Sequence, residues 1–382
     1  MRSLELAIKH LAGERLQGTA AERAALSTVE FDMSDWKQIA KTTKDENDPN
    51  GMSVSFPDRD NIMLLVSYER TGATADFQNR LGDSSASTGT NYAGLDIGGN
   101  FTSQNYFKKW NTGNGAQAFE IHQFRNKSGS PKMGITQGVI AGSTGDNAPH
   151  ATEAYWVWHD NAVAGYYEAD FSASGNGTVV GASSNTPSEV VVLGYNDGET
   201  ASATNQFWTQ LTSKTLDANS TTISTDEFTA YKYLRVRIHM VVANTGGNSH
   251  SYLEAGMYFN DDNGTSDSNY TKTVNEQNAT YSGSTGKDVI GFAGLYSSVY
   301  VDCYILNIAG KEKVCIFSGT GTGGDALSSG VSDSNQSPMH FEGRGKWRTT
   351  SGQITKIHCN EDHAEGTFKA GTNITVWGAN TL

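Results

Sequence analysis

The chain has 382 residues, enough for two domains that each bury their own core. Its formal net charge is −13 and it has no large Lys/Arg cluster, which argues against a nucleic-acid partner. Glycine (42 residues), Tyr (16) and Phe (15) are plentiful, while hydrophobic residues still make up 36%. This composition predicts an all-β protein with short strands and tight turns rather than a disordered chain.

The first 30 residues differ from the rest and predict a short helical arm. Leu4, Ile8 and Leu11 lie at helical spacing, and a second helix-forming run covers residues 20–26. A helix this short is marginal on its own, so we expect its apolar stripe to dock on the chain's own body, a sister subunit or another protein.

From Asp35 onward the pattern is that of β-strands separated by Gly- and Asn-rich turns. Leu234 to Met240 alternates apolar and basic residues, which is typical of a half-buried antiparallel strand. The clearest predicted strands are Ile62–Tyr68, Tyr155–Trp158, Glu189–Leu193, Leu234–Met240 and Ile374–Trp377.

The two halves of the chain repeat one another in a collinear series of matches. The offsets drift slowly, as insertions and deletions in loops would produce. The matched pairs include Trp36/Trp208 (offset 172), Met63/Tyr233 (170), Asn91/Asn269 (178), Asn126/Asn307 (181), Glu153/Glu342 and Trp158/Trp347 (189), and Val190/Ile374 (184).

The repeat predicts two tandem antiparallel β-sandwich modules of jelly-roll-like type. The predicted boundaries are a helical arm over 1–30, a first module over 31–197, a linker over 198–206 and a second module over 207–382. Together with the arm's apolar stripe, the repeated tryptophans Trp36, Trp158, Trp208 and Trp347 are the predicted structural or interaction residues.

No pattern predicts a catalytic residue, a cofactor or a metal site. His358–His363 is rich in possible ligands, but its spacing lacks the paired form of a zinc site, so we interpret it as a solvated turn. Asp261, Asp262 and Asp267 are candidates for calcium, but an Asx-rich turn is the favoured interpretation.

Other polar features also have structural interpretations. Glu153 and Glu342 recur once per module, which favours a structural role over a glycosidase pair. Gly319–Gly324 is predicted to be a flexible loop. Cys303, Cys315 and Cys359 are expected to be buried free thiols. Tyr166, Tyr167 and Tyr252 are candidates for stacking on sugars, with core packing as the alternative.

Several motifs resemble segments of tailed-phage virion proteins. Phe368–Gly378 (FKAGTNITVWG) is similar to the closing motif F-x-A-G-[ST]-x-I-x-V-x-G, and Gly345–Thr355 resembles the G-K-W segment seen with it. Residues 18–26 (GTAAERAAL) resemble the start of marine-phage proteins of this type. The first module departs from the pattern, since Pro187–Val190 replaces the A-G-[ST]-x-I segment.

The resemblance implies a virion structural protein, a non-enzymatic decoration, spike or fibre subunit anchored by its arm. Its expected partners are capsid or tail proteins and further copies of itself, with a trimer favoured, and its expected location is the virion, assembled in the host cytoplasm. Two alternatives stay open: a double jelly-roll major capsid protein and a carbohydrate-binding host-recognition protein. Because the sequence has no long apolar run, we expect no membrane span and no secretory leader.

Overall fold

A computed structural model gives the fold. Within the ranges that it describes, every regular element is a β-strand, as predicted, and no helix there is long and apolar enough to cross a membrane. The predicted arm with Leu4, Ile8 and Leu11 lies outside these ranges. The described residues are 36–44, 51–72, 75–87, 89–96, 99–112, 117–142, 147–171, 177–179, 187–197, 199, 206–244, 255–262, 269–276, 282–287, 290–291, 298–322, 338–361 and 366–380.

The strands divide equally between the two halves of the described chain. The first half holds β1 Lys37–Lys44, β2 Met52–Ser55, β3 Asn61–Gly72, β4 Ala75–Gly82, β5 Tyr92–Asp96, β6 Gly99–Gln104, β7 Lys108–Thr112, β8 Gln117–Arg125, β9 Lys132–Ile140, β10 His150–Trp158, β11 Tyr166–Phe171, β12 Gly177–Val179 and β13 Ser188–Tyr195. The second half holds β14 Thr209–Thr215, β15 Thr222–Ser224, β16 Tyr233–Asn244, β17 Ala255–Phe259, β18 Tyr270–Glu276, β19 Ser282–Lys287, β20 Ile290–Gly291, β21 Ser298–Leu306, β22 Lys313–Thr322, β23 Pro338–Trp347, β24 Ile357–Glu361, β25 Gly366–Phe368 and β26 Asn373–Ala379.

Each half forms a large and a small antiparallel sheet that share a core. The first large sheet has the order β1-β13-β3-β8-β9-β10-β5-β6, with β12 paired to the end of β3, and the first small sheet has the order β2-β11-β4-β7. The second half has the orders β14-β26-β16-β21-β22-β23-β18-β19, with β25 on β16, and β15-β24-β17-β20. Adding thirteen to each strand number of the first half gives the second, so the two modules have one topology.

The pairing registers fix which residues of the modules are equivalent. Ile121 on β8 pairs with Gln137 on β9, and Asp302 on β21 pairs with Ser318 on β22, an offset of 181 on both strands. The same comparison of paired residues gives an offset of 189 between β10 and β23 and an offset of 184 between β13 and β26. These offsets agree with the sequence repeat.

One predicted alignment is wrong by two residues. Leu65 pairs with Ile121, and Arg237 pairs with Asp302, so β3 and β16 are offset by 172. The sequence alignment that began at Met63 gave 170. A shift of two keeps every side chain on the same face of its strand, so the alternation of apolar residues does not distinguish the two registers.

A side-chain clamp holds the same turn in both modules. Asn126 donates from Nδ2 to the Ala164 carbonyl oxygen (3.0 Å) and accepts from the Ala164 amide (2.8 Å). Asn307 makes the same two bonds with Ile354, at 3.1 and 2.7 Å. Because buried backbone groups need partners, this clamp explains why an asparagine recurs at an offset of 181.

The apolar run of β13 shows how the layers are stacked. Val190 and Val192 point into the core of the first module, whereas Val191 and Leu193 point to the opposite face of the sheet and are also buried. A strand covered on both faces is apolar throughout instead of alternating. The outer face of this large sheet is therefore covered by a further layer.

That further layer is the large sheet of the second module. Side chains from the outer faces of both large sheets form a third apolar core between the modules. Its buried members are Met63, Leu65, Phe119, Ile121, Val139, Ala141, Val191 and Leu193 from the first module and Phe207, Trp208, Tyr233, Tyr304, Leu306, Ile308, Val314, Ile316, Trp377 and Ala379 from the second or its entry.

Buried basic side chains of β23 bind backbone oxygens of the first module. Arg344, which is fully buried, donates to the Gly138 and Thr152 carbonyl oxygens at 2.7 and 3.0 Å. Lys346 donates to the Ala141 carbonyl oxygen at 2.9 Å. Hydrogen bonds from charged donors are stronger than neutral ones, so they fix the register of one sheet over the other.

The core of the first module contains a polar network that the second lacks. Buried Glu120 accepts from Tyr68 Oη (2.9 Å) and Asn79 Nδ2 (3.3 Å), and His122 Nε2 lies 3.3 Å from the same carboxylate. His122 Nδ1 lies 2.8 Å from Thr136 Oγ1. The residues equivalent to these five are apolar and buried in the second module: Val301, Met240, Met257, Cys303 and Phe317.

The strands predicted from sequence are confirmed, and so are the buried free thiols of all three cysteines. The loop predicted over Gly319–Gly324 is wrong in its first part, since β22 continues to Thr322. Gly319 lies against the Phe341 ring, where an added Cβ would come within 2.2 Å of a ring carbon. Glycine is thus used here for close packing inside a sheet.

Candidate binding surface

The outer face of the first large sheet is only half covered by the second module. Val139 on β9 and Ala141 directly after it are buried in the core between the modules. Met133 and Ile135 lie on the same face of the same strand and are 67% and 45% exposed. The covered and open halves therefore meet within one strand.

The open half carries most of the exposed large hydrophobic residues of the described ranges. Across the sheet from Ile135 lies Tyr155, and across from Tyr155 lies Leu95; both are 48% exposed. Together with Met133 they are four of the five large hydrophobic residues exposed in the described ranges. We call these four residues the open face. A contiguous exposed apolar patch of this kind marks an interaction site.

A groove of about 610 Å³ adjoins the open face. Trp36 and Tyr195 form one wall, with their ring centroids 4.8 Å apart and their planes nearly perpendicular. Its volume lies within the range of ligand pockets, which are mostly apolar with a few polar groups. The remaining lining residues are Asn61, Ile62, Gln123, Phe124, Arg125, Met133, Gly134, Ile135, Tyr155, Trp156 and Val157.

Polar groups are concentrated at one end of this groove. Arg125 donates to Asn61 Oδ1 and to Asp197 Oδ1, both at 2.9 Å. The guanidinium lowers the pKa of the Asp197 carboxyl, chiefly through hydrogen bonding. The groove thus offers an apolar wall and a charged, hydrogen-bonding end.

The equivalent surface of the second module is buried. Met133 and Ile135 correspond to Val314 and Ile316, which are 0% and 1% exposed in the core between the modules. Gln123 corresponds to Tyr304, at 7%. The same face of the fold is therefore buried between the modules in the second copy and exposed in the first.

The predicted tryptophans lie in three different environments. Trp36 lines the groove, whereas its counterpart Trp208 is buried between the modules. Trp158 and Trp347 are buried in their own module cores. A lysine ammonium lies over each of these two rings, 5.9 Å away for Lys132 and 5.6 Å for Lys313. Burial lowers the pKa of Lys313 to about 8.

A pair of equivalent carboxyl groups meets between the modules. Glu153 on β10 is hydrogen-bonded to Glu342 on β23, and Tyr155 Oη donates to Glu153 Oε1 at 2.6 Å. Burial, followed by the hydrogen bond and charge of Glu342, raises the pKa of Glu153 to about 7, while Arg344 opposes this. A neighbouring carboxylate disfavours the charged form, so Glu153 keeps its proton to a higher pH than an exposed glutamate does.

Sequence reasoning predicted a structural role for these glutamates but not that they touch. The adjoining pocket, which also contains His340, has a volume of about 160 Å³, below the range of ligand sites. The sequence repeat was the signal that could have predicted this contact. When the large sheets of two copies pack with equivalent strands facing each other, equivalent residues can meet.

The aspartates that were considered as calcium ligands have other partners where the structure describes them. Asp262 accepts from Trp347 Nε1 (2.7 Å) and Asn269 Nδ2 (3.0 Å), and Asp261 pairs with Lys356 and His358. No group of three or more His, Cys, Asp or Glu side chains in the described ranges could hold a metal. Asp267 lies outside those ranges.

The solvated turn predicted over His358–His363 is wrong in its first part, since β24 continues to Glu361 and His358 and Cys359 point to opposite faces of that strand. Cys359 lies in the core of the second module, whereas the His358 ring stacks on Tyr258 with centroids 4.5 Å apart. Of the candidate sugar-stacking residues, Tyr167 is buried and donates to Asn79, and Tyr252 lies outside the described residues.

The chain matches no protein-family model and no curated protein.

A matched pair of substitutions separates the closed face from the open one. Val314→Asp should lower the free energy of unfolding by about 3–5 kcal/mol, because it buries an unpaired carboxylate between the modules. Met133→Asp, at the equivalent exposed position, should cost a small fraction of that. Urea unfolding measures both, and equal losses would show that the two faces do not differ in burial.

The Glu153 pair predicts a pH dependence. Because its pKa is raised from 4.5 to about 7, the folded chain binds more protons than the unfolded chain within that window. Stability should therefore fall as pH rises from 4.5 to 7, and Glu153→Gln should flatten this slope. The measurement is the urea midpoint against pH. The exposed-site control, Glu227→Gln, should keep the wild-type slope; a wild-type slope in Glu153→Gln would refute the assignment.

Proposed function

We propose that this chain is a structural subunit of a tailed-phage virion, a decoration, spike or fibre protein held on the particle by its N-terminal arm. The observation that carries this is the open face of the first module. Its apolar residues have counterparts in the second module that are buried in a contact between sheets, so the surface suits protein assembly more than catalysis.

The strand orders support a jelly-roll assignment for each module. The large sheet contains the run β1-β13-β3-β8 and the small sheet has the order β2-β11-β4-β7, which are the two four-stranded orders of a jelly roll, and the hairpins β5-β6 and β9-β10 extend the large sheet. Jelly rolls are common in viral capsid and lectin domains. This agrees with the motif resemblance of the second module.

The double jelly-roll capsid alternative is less favoured. Its two modules would stand side by side and contribute equivalent surfaces to a pseudo-sixfold outline. Here the modules stack through their large sheets, and each buries a different half of its outer face.

Binding of a host glycan is the second candidate, and the groove favours it. Trp36, Tyr195 and Tyr155 provide aromatic rings beside the amide groups of Asn61 and Gln123. Aromatic faces with a few polar groups suit a sugar ring. The first module would then make the contact and the second would serve as scaffold.

Deleting residues 1–27 should abolish incorporation into particles, because the arm is the proposed anchor. Particles assembled with the full or the truncated chain are separated on a density gradient and the subunit is quantified by mass spectrometry. The two chains should show the same urea midpoint, which controls for folding. Normal incorporation of the truncated chain would contradict anchoring, and a continuous shell of many hundreds of copies would favour the capsid alternative.

A further inference from the structure

We propose that the groove and the pocket beside Glu153 and Glu342 form one continuous site for an extended, uncharged glycan chain. The groove takes the body of the glycan, and the pocket holds its terminal sugar between the two modules. This inference rests on the glycan-binding candidate above. It adds a subsite, a charge selectivity and a contribution from the second module.

The two cavities share one row of side chains. Gln123, Ile135 and Tyr155 line both of them. Gln123 pairs with Ile135 across β8 and β9, and Ile135 pairs with Tyr155 across β9 and β10, so the three are direct neighbours on one face of the sheet. The pocket, at about 160 Å³, is too small for a ligand of its own, but along this row it joins a groove of about 610 Å³. One ligand can therefore occupy both.

The groove is long enough for several sugar rings. Tyr195 at its far wall lies on β13, and Tyr155 lies on β10, four steps away in the order β13-β3-β8-β9-β10. Neighbouring strands are about 4.8 Å apart, so the two side chains are separated by roughly 19 Å across the sheet. Trp36 stands beside Tyr195, so both ends of the groove provide aromatic faces.

Polar groups of both modules line the pocket. Gln137 lies across from Glu153, and Ser318 lies across from Glu342 in the equivalent pair of the second module. His340 lies two residues before Glu342 on the same face of β23 and also lines the pocket. These amide, hydroxyl, imidazole and carboxyl groups include both donors and acceptors. Such a set suits a ring that carries several hydroxyl groups.

Tyr155 stands at the junction of the two cavities with its ring held in place. The residue is 48% exposed, while its hydroxyl donates to Glu153 Oε1 at 2.6 Å. A side chain that is already ordered loses little conformational entropy when a ligand binds. The ring is therefore a preorganised platform for a sugar that passes from the groove into the pocket.

The charges around the site favour an uncharged ligand. Glu153 and Glu342 lie at the pocket end, where the Arg344 guanidinium is buried and donates to backbone carbonyl oxygens. At the other end, the Arg125 guanidinium is paired with Asp197. A carboxylate on the terminal sugar would meet two acidic side chains, and like-charge contacts of this kind discriminate against a ligand.

An array of immobilised oligosaccharides, probed with the purified full chain, tests the ligand class. Neutral oligosaccharides should bind, and the same oligosaccharides capped with a terminal sialic or uronic acid should bind several-fold more weakly. A silent array would contradict the glycan candidate and this inference together. Equal or stronger binding of the capped forms would overturn this inference and leave the glycan candidate standing.

Calorimetric titration with the neutral oligosaccharide that binds best on the array tests the pocket. Ser318→Tyr fills the pocket from the second module and should weaken binding about tenfold, as expected for a central contact. Ser213→Tyr, at an exposed serine of β14 outside both cavities, is the matched control and should keep the wild-type affinity. If Trp36→Ala in the groove weakens binding and Ser318→Tyr does not, the groove binds the glycan alone and the continuous site is refuted.

His340→Ala tests the pocket without adding bulk between the modules. His340 is exposed, so its truncation should leave the urea midpoint unchanged. Because the side chain lines the pocket and not the groove, the variant should bind the same oligosaccharide several-fold more weakly. Wild-type affinity in this variant would overturn the role of the second module.

Discussion

The packing of one large sheet on the other determines how the two modules are joined. Each module has its own core, but half of the outer face of each large sheet joins a third apolar core between them. Because hydrophobic stabilisation grows with the apolar area removed from water, this contact makes a four-layer body from two sandwiches. The polar bonds of Arg344 and Lys346 then set its register.

This contact is asymmetric, and the asymmetry creates the candidate site. The first module contributes Phe119, Ile121 and Val139, while the second contributes residues equivalent to the groove of the first. The two copies thus use different halves of one face. The unused half of the first module is apolar, whereas the second presents Asp302 and Thr320 at the positions of Ile121 and Val139.

The architecture could be predicted from sequence because it depends on local patterns. Alternating residues predicted the strands, and the repeated Asn126, Glu153 and Trp158 predicted the two-module plan. The contact between the modules could not, since outward-facing apolar residues such as Met133 and Val139 look alike within one strand. Only the arrangement of the sheets distinguishes the buried residue from the exposed one.

The polar network around Glu120 is another feature that the pattern concealed. Glu120 and His122 alternate with apolar residues on β8, which is the pattern of an outward face. Both nevertheless point into the core, where Glu120 accepts from Tyr68 Oη and His122 Nδ1 is hydrogen-bonded to Thr136 Oγ1. Networks of this kind are stable only when nearly every member has a partner, and they rigidify the fold around them. The first module has one and the second does not, which is a further division between the copies.

Calorimetry tests most directly whether the two modules form one body. With a shared core, unfolding of the full chain should be a single transition whose calorimetric and van't Hoff enthalpies agree. Two separate transitions, each with the enthalpy of one module and neither shifted by Val314→Asp, would contradict the account.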